Sequence, residues 1–296
     1  MSTAAREIEI VEVGPRDGLQ NEPRAISTAQ KIALVDRLSA VGFARIEAAS
    51  FVSPRAVPQM ADGAAVMAGI ARRAGTRYAA LTPNLKGFEA ARAAGVDEVA
   101  VFASASETFS QRNINASIAE SIARFTAVFE AARAAAIPVR GYVSCVVVCP
   151  YEGAIAPAAV AQVTETLLRA GAYEVSLGDT VGQGTSASIG AMLDAVLAIA
   201  PAERLAGHFH DTNGRALDSV RAAHARGIRV FDASAAGLGG CPFAPGAAGN
   251  LATGRLLAWC AREGLETGIN RQALAEAEAF AARLRPDQAA LQGEAR

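Results

Sequence analysis

Two of the three histidines in the chain stand two residues apart, as His208-Phe209-His210, inside the strand-like run RLAGHFHD at 204–211. On a strand, residues i and i+2 face the same side, so both imidazoles project together. Paired imidazoles on one face suit a divalent cation, with Asp17 as a carboxylate ligand and Asn250 as a carbonyl-oxygen ligand. This mixed nitrogen and oxygen set points to one Mg²⁺ or Mn²⁺ rather than structural zinc, which prefers thiolates in a closed tetrahedron. The competing reading of the motif is a pair of hydrogen-bonded histidines at a polar strand end. Arg16 precedes Asp17, and beside a cation its guanidinium fork can meet an anion forming on a substrate oxygen. The alternative there is a surface ion pair in a loop. The segment AGLGGCPFAPGAAGN at 236–250 adds one thiol, Cys241, in a glycine-rich stretch. Such a stretch can close over a substrate, or it is a flexible connector with an incidental cysteine. Cys145 and Cys149, in or beside an apolar strand, and Cys260, in a helical stretch, read as packing thiols; His224 reads as a surface or packing histidine.

These residues are positioned by a regular alternation of short β-branched runs and longer Ala/Leu-rich segments with helical spacing. The strand-like runs are 7–13, 44–50, 77–83, 97–104, 138–148, 173–179, 204–211 and 229–237. Helical segments come after them at 27–41, 60–73, 85–94, 116–136, 157–170, 186–199, 214–226 and 247–263, with a last amphipathic one at 270–284. Ser27 and Gln30 have capping-box spacing at the first helix. The loop GPRDGLQNE after the first strand carries neither a dinucleotide-binding fingerprint nor a P-loop, which disfavours an open doubly wound sheet. Eight strand–helix units predict an α/β fold, a closed (β/α)₈ TIM barrel with an extra C-terminal helix. The expected organisation is one catalytic domain over 1–296, with a core at about 7–265 and a helical appendage at about 266–296. In such a barrel the active site lies at the C-terminal ends of the strands. The polar residues expected there are Arg16, Asp17, Glu47, Arg140, Asp179, His208, His210, Asp211, Cys241 and Asn250.

Composition narrows the function classes. At 296 residues, 51% hydrophobic and 19% charged, the chain has ample material for a large core and is not disordered. A net charge of −1 makes no case for nucleic acid or an anionic membrane surface. No stretch reaches the roughly 18–20 apolar residues of a membrane span. The N-terminal MSTAAREIEI has no apolar signal-peptide core, and four cysteines make no disulfide framework, so the expectation is a cytoplasmic protein.

Several segments together resemble the 3-hydroxy-3-methylglutaryl-CoA lyase family. They are EVGPRDGLQNE at 12–22, SFVSPRAVPQMAD at 50–62, LTPNLKGFEAA at 81–91, GYVSCVVVCPYEG at 141–153, SLGDTVGQGT at 176–185 and AGLGGCPFAPGAAGNLAT at 236–253. The resemblance implies a metal-dependent lyase of the TIM-barrel group that carries Arg-Asp after strand one and HxH on strand seven. It implies Mg²⁺ or Mn²⁺ held at the positions of Asp17, His208, His210 and Asn250. It further implies that Arg16 stabilises the enolate of departing acetyl-CoA and that Cys241 is an acid/base group in a mobile loop. Glu47 and Asp179 fall on positions important for catalysis. The substrate implied is a CoA thioester, cleaved to acetoacetate and acetyl-CoA by a retro-Claisen reaction, in a homodimer that engages neither nucleic acid nor membrane. Two positions depart from the family pattern: Asn213 stands where Tyr is frequent, and Pro23 where some members have Lys. The rival readings are a lyase for another 3-hydroxyacyl-CoA, such as citramalyl-CoA or an isoprenoid analogue, a synthase running the same chemistry forwards, and a binding barrel without catalysis.

Overall fold

The computed structural model describes residues 7–239 and 249–285. Eight parallel strands close into a barrel. They are β1 (Glu9–Glu12), β2 (Arg45–Ser50), β3 (Arg77–Leu81), β4 (Glu98–Ser104), β5 (Val139–Ser144), β6 (Glu174–Asp179), β7 (Leu205–Phe209) and β8 (Val230–Ala233). Closure comes from β8, whose residues Val230 to Ala233 pair with Glu9 to Glu12 of β1. Strands buried on both faces need little alternation of polarity, and β2, β6 and β7 are buried at every position.

The surrounding helices are α1 (Thr28–Val41), α2 (Gly63–Gly69), α3 (Leu85–Ala93), α4 (Glu107–Ile114), α5 (Ile118–Ala134), α6 (Pro157–Ala170), α7 (Ser186–Leu197), α8 (Ala216–His224), α9 (Thr253–Arg262) and α10 (Arg271–Ala282). The Ser27–Gln30 capping box forms as its spacing predicts. Helix α10 is more than an appendage. Its Glu278 accepts the N–H groups of Ala236 at 3.1 Å and Gly254 at 2.9 Å, and so braces the segments on either side of the glycine-rich stretch. No helix among the described residues is long and apolar enough to cross a membrane.

Three boundaries near the site differ from the sequence expectation, and one helix is added. Strand β5 stops at Ser144 because Cys145 takes a positive φ of 59°; a short antiparallel pair, Val148–Cys149 with Gly153–Ala154, comes next. Strand β8 stops at Ala233, and a tight turn at Ala235–Gly237 replaces the rest of the expected run. The expected helix at 247–263 begins only at Thr253. Residues 250–252 are extended instead, with Asn250 bridged to His210 and Ala252 to Ser234. The backbone of this segment is thus captured by the ends of β7 and β8, which overrides its helical composition. Helix α4 was not anticipated; Ser106 caps it by accepting the N–H of Phe109 at 3.0 Å.

Candidate active site

The turn after β1 sets the first half of the site. Gly14–Gly18 form a wide π-helical turn in which the N–H groups of Arg16, Asp17 and Gly18 all point at the Val13 carbonyl. This coil projects the Arg16 and Asp17 side chains side by side over the barrel mouth. Arg16 Nη1 donates to Asp17 Oδ1 at 2.6 Å, and Nε and Nη2 donate to Glu47 Oε2 of β2 at 2.7 and 2.6 Å. Tyr142 of β5 adds its hydroxyl to the same Glu47 oxygen at 3.2 Å and offers its ring face to Arg16. Both Arg16 and Glu47 are buried. Burial opposes the Arg16 charge, but Glu47 and Asp17 outweigh it and the guanidinium stays protonated. Burial lifts Glu47 above the ordinary carboxylate range against the pull of Arg16.

The second half comes from β7 and the segment beyond its C-terminal end. His208 Nδ1 lies 3.1 Å from Asp232 Oδ2 on β8, the residue in direct register with it. Asp232 also takes Arg140 Nη2 at 2.8 Å and the Ser176 hydroxyl at 2.8 Å. Burial raises the Asp232 carboxyl, but Arg140 and His208 dominate and hold it well below the usual range. An ionised carboxylate only accepts, so Nδ1 of His208 donates to it and Nε2 is left facing the site. Burial opposes the imidazolium, but Asp232 and Asp17 raise the imidazole above its ordinary value, so a cation binding there would displace the proton of Nε2. That Nε2 faces Asp17 Oδ2 at 3.9 Å. His210 lies beside it, with ring centroids 5.3 Å apart, and its Nδ1 has no partner among the described residues. Burial and the neighbouring His208 push the His210 imidazole down to about 4, which keeps it neutral and able to ligate. Burial acts on Asp17 in the opposite sense, but Arg16, His208 and His210 hold it at about 2.

Asp17, His208 and His210 thus offer ligand atoms that all lie within 4.8 Å of one another. One carboxylate and two imidazoles form a donor set that fits a divalent cation. Asn250 is brought to the same place by its backbone bridge to His210, and its Nδ2 donates to Asp17 Oδ2 at 2.8 Å. Gly239, at φ +97°, permits this approach, since a Cβ there would meet Asn250 Nδ2 at 3.0 Å and Gly18 Cα at 3.2 Å.

These residues open on a cavity of about 450 Å³. Arg16, Asp17, His208 and His210 line its polar side, while Val52, Leu81, Phe102, Phe109 and Phe125 line its apolar side. Helix α4 supplies Phe109 and Asn113 to the wall. Gln20 also reaches the cavity, and its side-chain oxygen has no partner among the described residues.

Other expected residues fall elsewhere. Arg140 is the second residue of β5, below the mouth, bonded to Glu174 and Asp232 in the barrel interior. Asp211 accepts the Ala216 N–H at 3.0 Å at the start of α8 and pairs with Arg255, a structural role. Asp179 ends β6 and accepts the Gly184 N–H at 2.8 Å; its Oδ1 has no partner and burial raises its carboxyl. Asn213, where the family pattern has Tyr, donates to the Gly182 carbonyl at 2.9 Å and so ties together the loops after β6 and β7. Cys241 lies outside the described residues.

Asp232 and Tyr142 were missed from sequence. Their signal was parity: Tyr142 shares the inward face with Arg140, and an acid stands inside the run RVFDASAAG.

A family described as HMGL-like matches residues 7–281. The chain is 55% identical over 280 residues to the mitochondrial hydroxymethylglutaryl-CoA lyase of Bos taurus, covering 95% of this chain and 86% of that protein. It is 56% identical over 272 residues to a Pseudomonas aeruginosa 3-hydroxy-3-isohexenylglutaryl-CoA/hydroxymethylglutaryl-CoA lyase, covering 92% of this chain and 91% of the other. The crystal structure of HMG-CoA lyase from Brucella melitensis superposes with a TM-score of 0.94 at 59% identity, over 96% of this chain and 100% of that one.

Proposed function

Because the chain belongs to the HMGL-like family and, within it, to the HMG-CoA lyases, we propose that it cleaves 3-hydroxy-3-methylglutaryl-CoA to acetoacetate and acetyl-CoA with one Mg²⁺ or Mn²⁺. The observation that carries this reading is the convergence of Asp17, His208 and His210 beside a buried, charged Arg16. Asn250 would supply its amide oxygen as the fourth protein ligand by turning that oxygen to the cation in place of the Nδ2 that bonds Asp17 in this structure. When bound, the cation polarises the substrate oxygens and lowers the pKa of the tertiary hydroxyl.

The residues of the chain divide the remaining work. The reaction removes the hydroxyl proton, breaks the bond between the hydroxyl-bearing carbon and the thioester α-carbon, and leaves its electron pair as a thioester enolate. Arg16 meets the negative charge of that enolate. Glu47 grips Arg16 through two nitrogens and so fixes its direction before the charge develops. Asp179 and Cys241 handle the protons, one leaving the hydroxyl and one arriving at the enolate carbon. Asp179 is not itself in the cavity wall, although its neighbours Gly178 and Thr180 are; what supports a role for it is an Oδ1 with no partner among the described residues and a carboxyl raised by burial. The apolar wall of the cavity excludes water from the enolate. The same reading takes the protein as a cytoplasmic homodimer acting in leucine breakdown and ketone-body formation.

A steady-state panel of 3-hydroxyacyl-CoA thioesters tests it. Cleavage of HMG-CoA, abolished by a chelator and restored by Mg²⁺ or Mn²⁺, is the expected result. Preference for citramalyl-CoA, or full turnover by rigorously metal-free protein, overturns it.

A further inference from the structure

Asp17 and Asn250 meet in space yet are 233 residues apart in the chain. Asp17 sits in the turn beyond β1, outside the ladder, and Asn250 is held to the barrel end only by an isolated bridge to His210. Glu12, the last residue of β1, is fully buried beneath both segments. Its Oε1 accepts the N–H of Gly14 at 2.9 Å and of Ala235 at 2.8 Å, and its Oε2 accepts the Thr253 hydroxyl at 2.7 Å. Gly14 opens the turn that carries Arg16 and Asp17. Ala235 opens the turn after β8, and Thr253 lies three residues past Asn250. One carboxylate therefore joins both halves of the site.

From these contacts we propose that Glu12 is a positioning residue, which locks the Arg16–Asp17 turn to the Asn250 segment and so sets the affinity of the site for its cation. The inference rests on the cation site proposed above. Barrel closure does not need the Glu12 side chain, since β1 and β8 pair through their backbones along their whole length. What the side chain holds is the pair of turns above the ladder. Three buried donors converge on it, and each would lose its partner on truncation. The fit is close: a Cβ on Gly14 would lie 2.6 Å from Glu12 Oε1. Glu278 supplies a contrast, because it bonds Ala236 and Gly254 and so holds only the Asn250 half.

The experiment is Mn²⁺ binding to metal-free protein, measured calorimetrically at pH 8 for the wild type and variants. Supporting carboxylates around a metal site are typically worth about 10–100-fold in affinity. Glu12→Ala is expected to weaken Mn²⁺ binding within that range. Glu12→Gln keeps an acceptor for Gly14 and Ala235 and is expected to recover most of the affinity. Thr253→Val, which removes only the Oε2 hydrogen bond, should weaken binding by about threefold, the scale of one lost hydrogen bond, and it tests the idea even if Glu12→Ala does not fold. Val196→Ala, on the buried face of α7, a helix that contributes nothing to the cavity wall, lowers stability and should leave affinity unchanged. Wild-type affinity in both Glu12→Ala and Thr253→Val overturns this inference alone. Failure of the wild type to bind Mn²⁺, or binding that survives Asp17→Asn, overturns the cation site and this inference with it.

Discussion

His208 and Asp232 form a directed pair: Nδ1 donates to the carboxylate at 3.1 Å, and the free Nε2 looks across to Asp17 at 3.9 Å. The same carboxylate is the end of a buried chain running through Arg140 and Glu174 to Arg45. The barrel interior below the site is therefore ionic, and it orients a ligand from behind.

Asp232→Asn should strike both functions of that carboxylate. It weakens the hold on the His208 tautomer, with an expected loss of about 10–100-fold in Mn²⁺ affinity. It also leaves the buried Arg140 short of a counter-charge, at a cost of about 3–5 kcal/mol in stability. Calorimetric titration and urea denaturation measure the two separately. Unchanged affinity would remove Asp232 from the site's support.

Replacing Arg16 by Gln removes the charge that faces the enolate. Loss of one preorganised donor typically lowers kcat by about 10²–10³, and loss of a full buried charge should reach at least that. KM should change far less, since the enolate forms only during the reaction. Near-normal kcat with a raised KM would show that Arg16 only binds substrate.

Cys241 should be the thiol that reagents reach first. Cys145, Cys149 and Cys260 are all buried, and burial pushes Cys260 up to about 11 and Cys145 higher still. Reagent at neutral pH should therefore label one site per chain and stop turnover, and bound substrate analogue with metal should protect. Cys241→Ser should lower kcat strongly while Mn²⁺ affinity stays the same. Normal turnover by that variant would leave the thiol without a role.

Glu12 should make the wild type lose stability as pH rises. Burial, aided by Glu278, raises its carboxyl from 4.5 to about 7 against the donors from Ala235, Thr253 and Gly14. Between those values the folded chain holds a proton that the unfolded chain has released, so stability falls with rising pH. At about 1.4 kcal/mol per pH unit the full effect is up to about 3 kcal/mol. Glu12→Gln does not titrate, so its stability relative to the wild type should climb from pH 4.5 to pH 8. Denaturant midpoints that keep a constant separation over this range would refute it.

What the sequence determined by itself is what short-range periodicity carries. The alternation of strands and helices, the Ser27–Gln30 cap and the shared face of His208 and His210 all depend on neighbours a few residues apart. The adjacency of Arg16 and Asp17 is a matter of chain order, and so is their place after β1. The tertiary structure alone decided which partners those groups acquire. Glu47 on Arg16, Asp232 on His208 and Glu12 beneath two turns are contacts made across 31, 24 and 223 residues of chain. They exist because closing the barrel brings β1 against both β2 and β8 in one register, which no local pattern encodes. Asn250 shows the same limit from the other side. Its segment has helical composition, yet the ends of β7 and β8 claim its backbone, and that capture places its amide against Asp17.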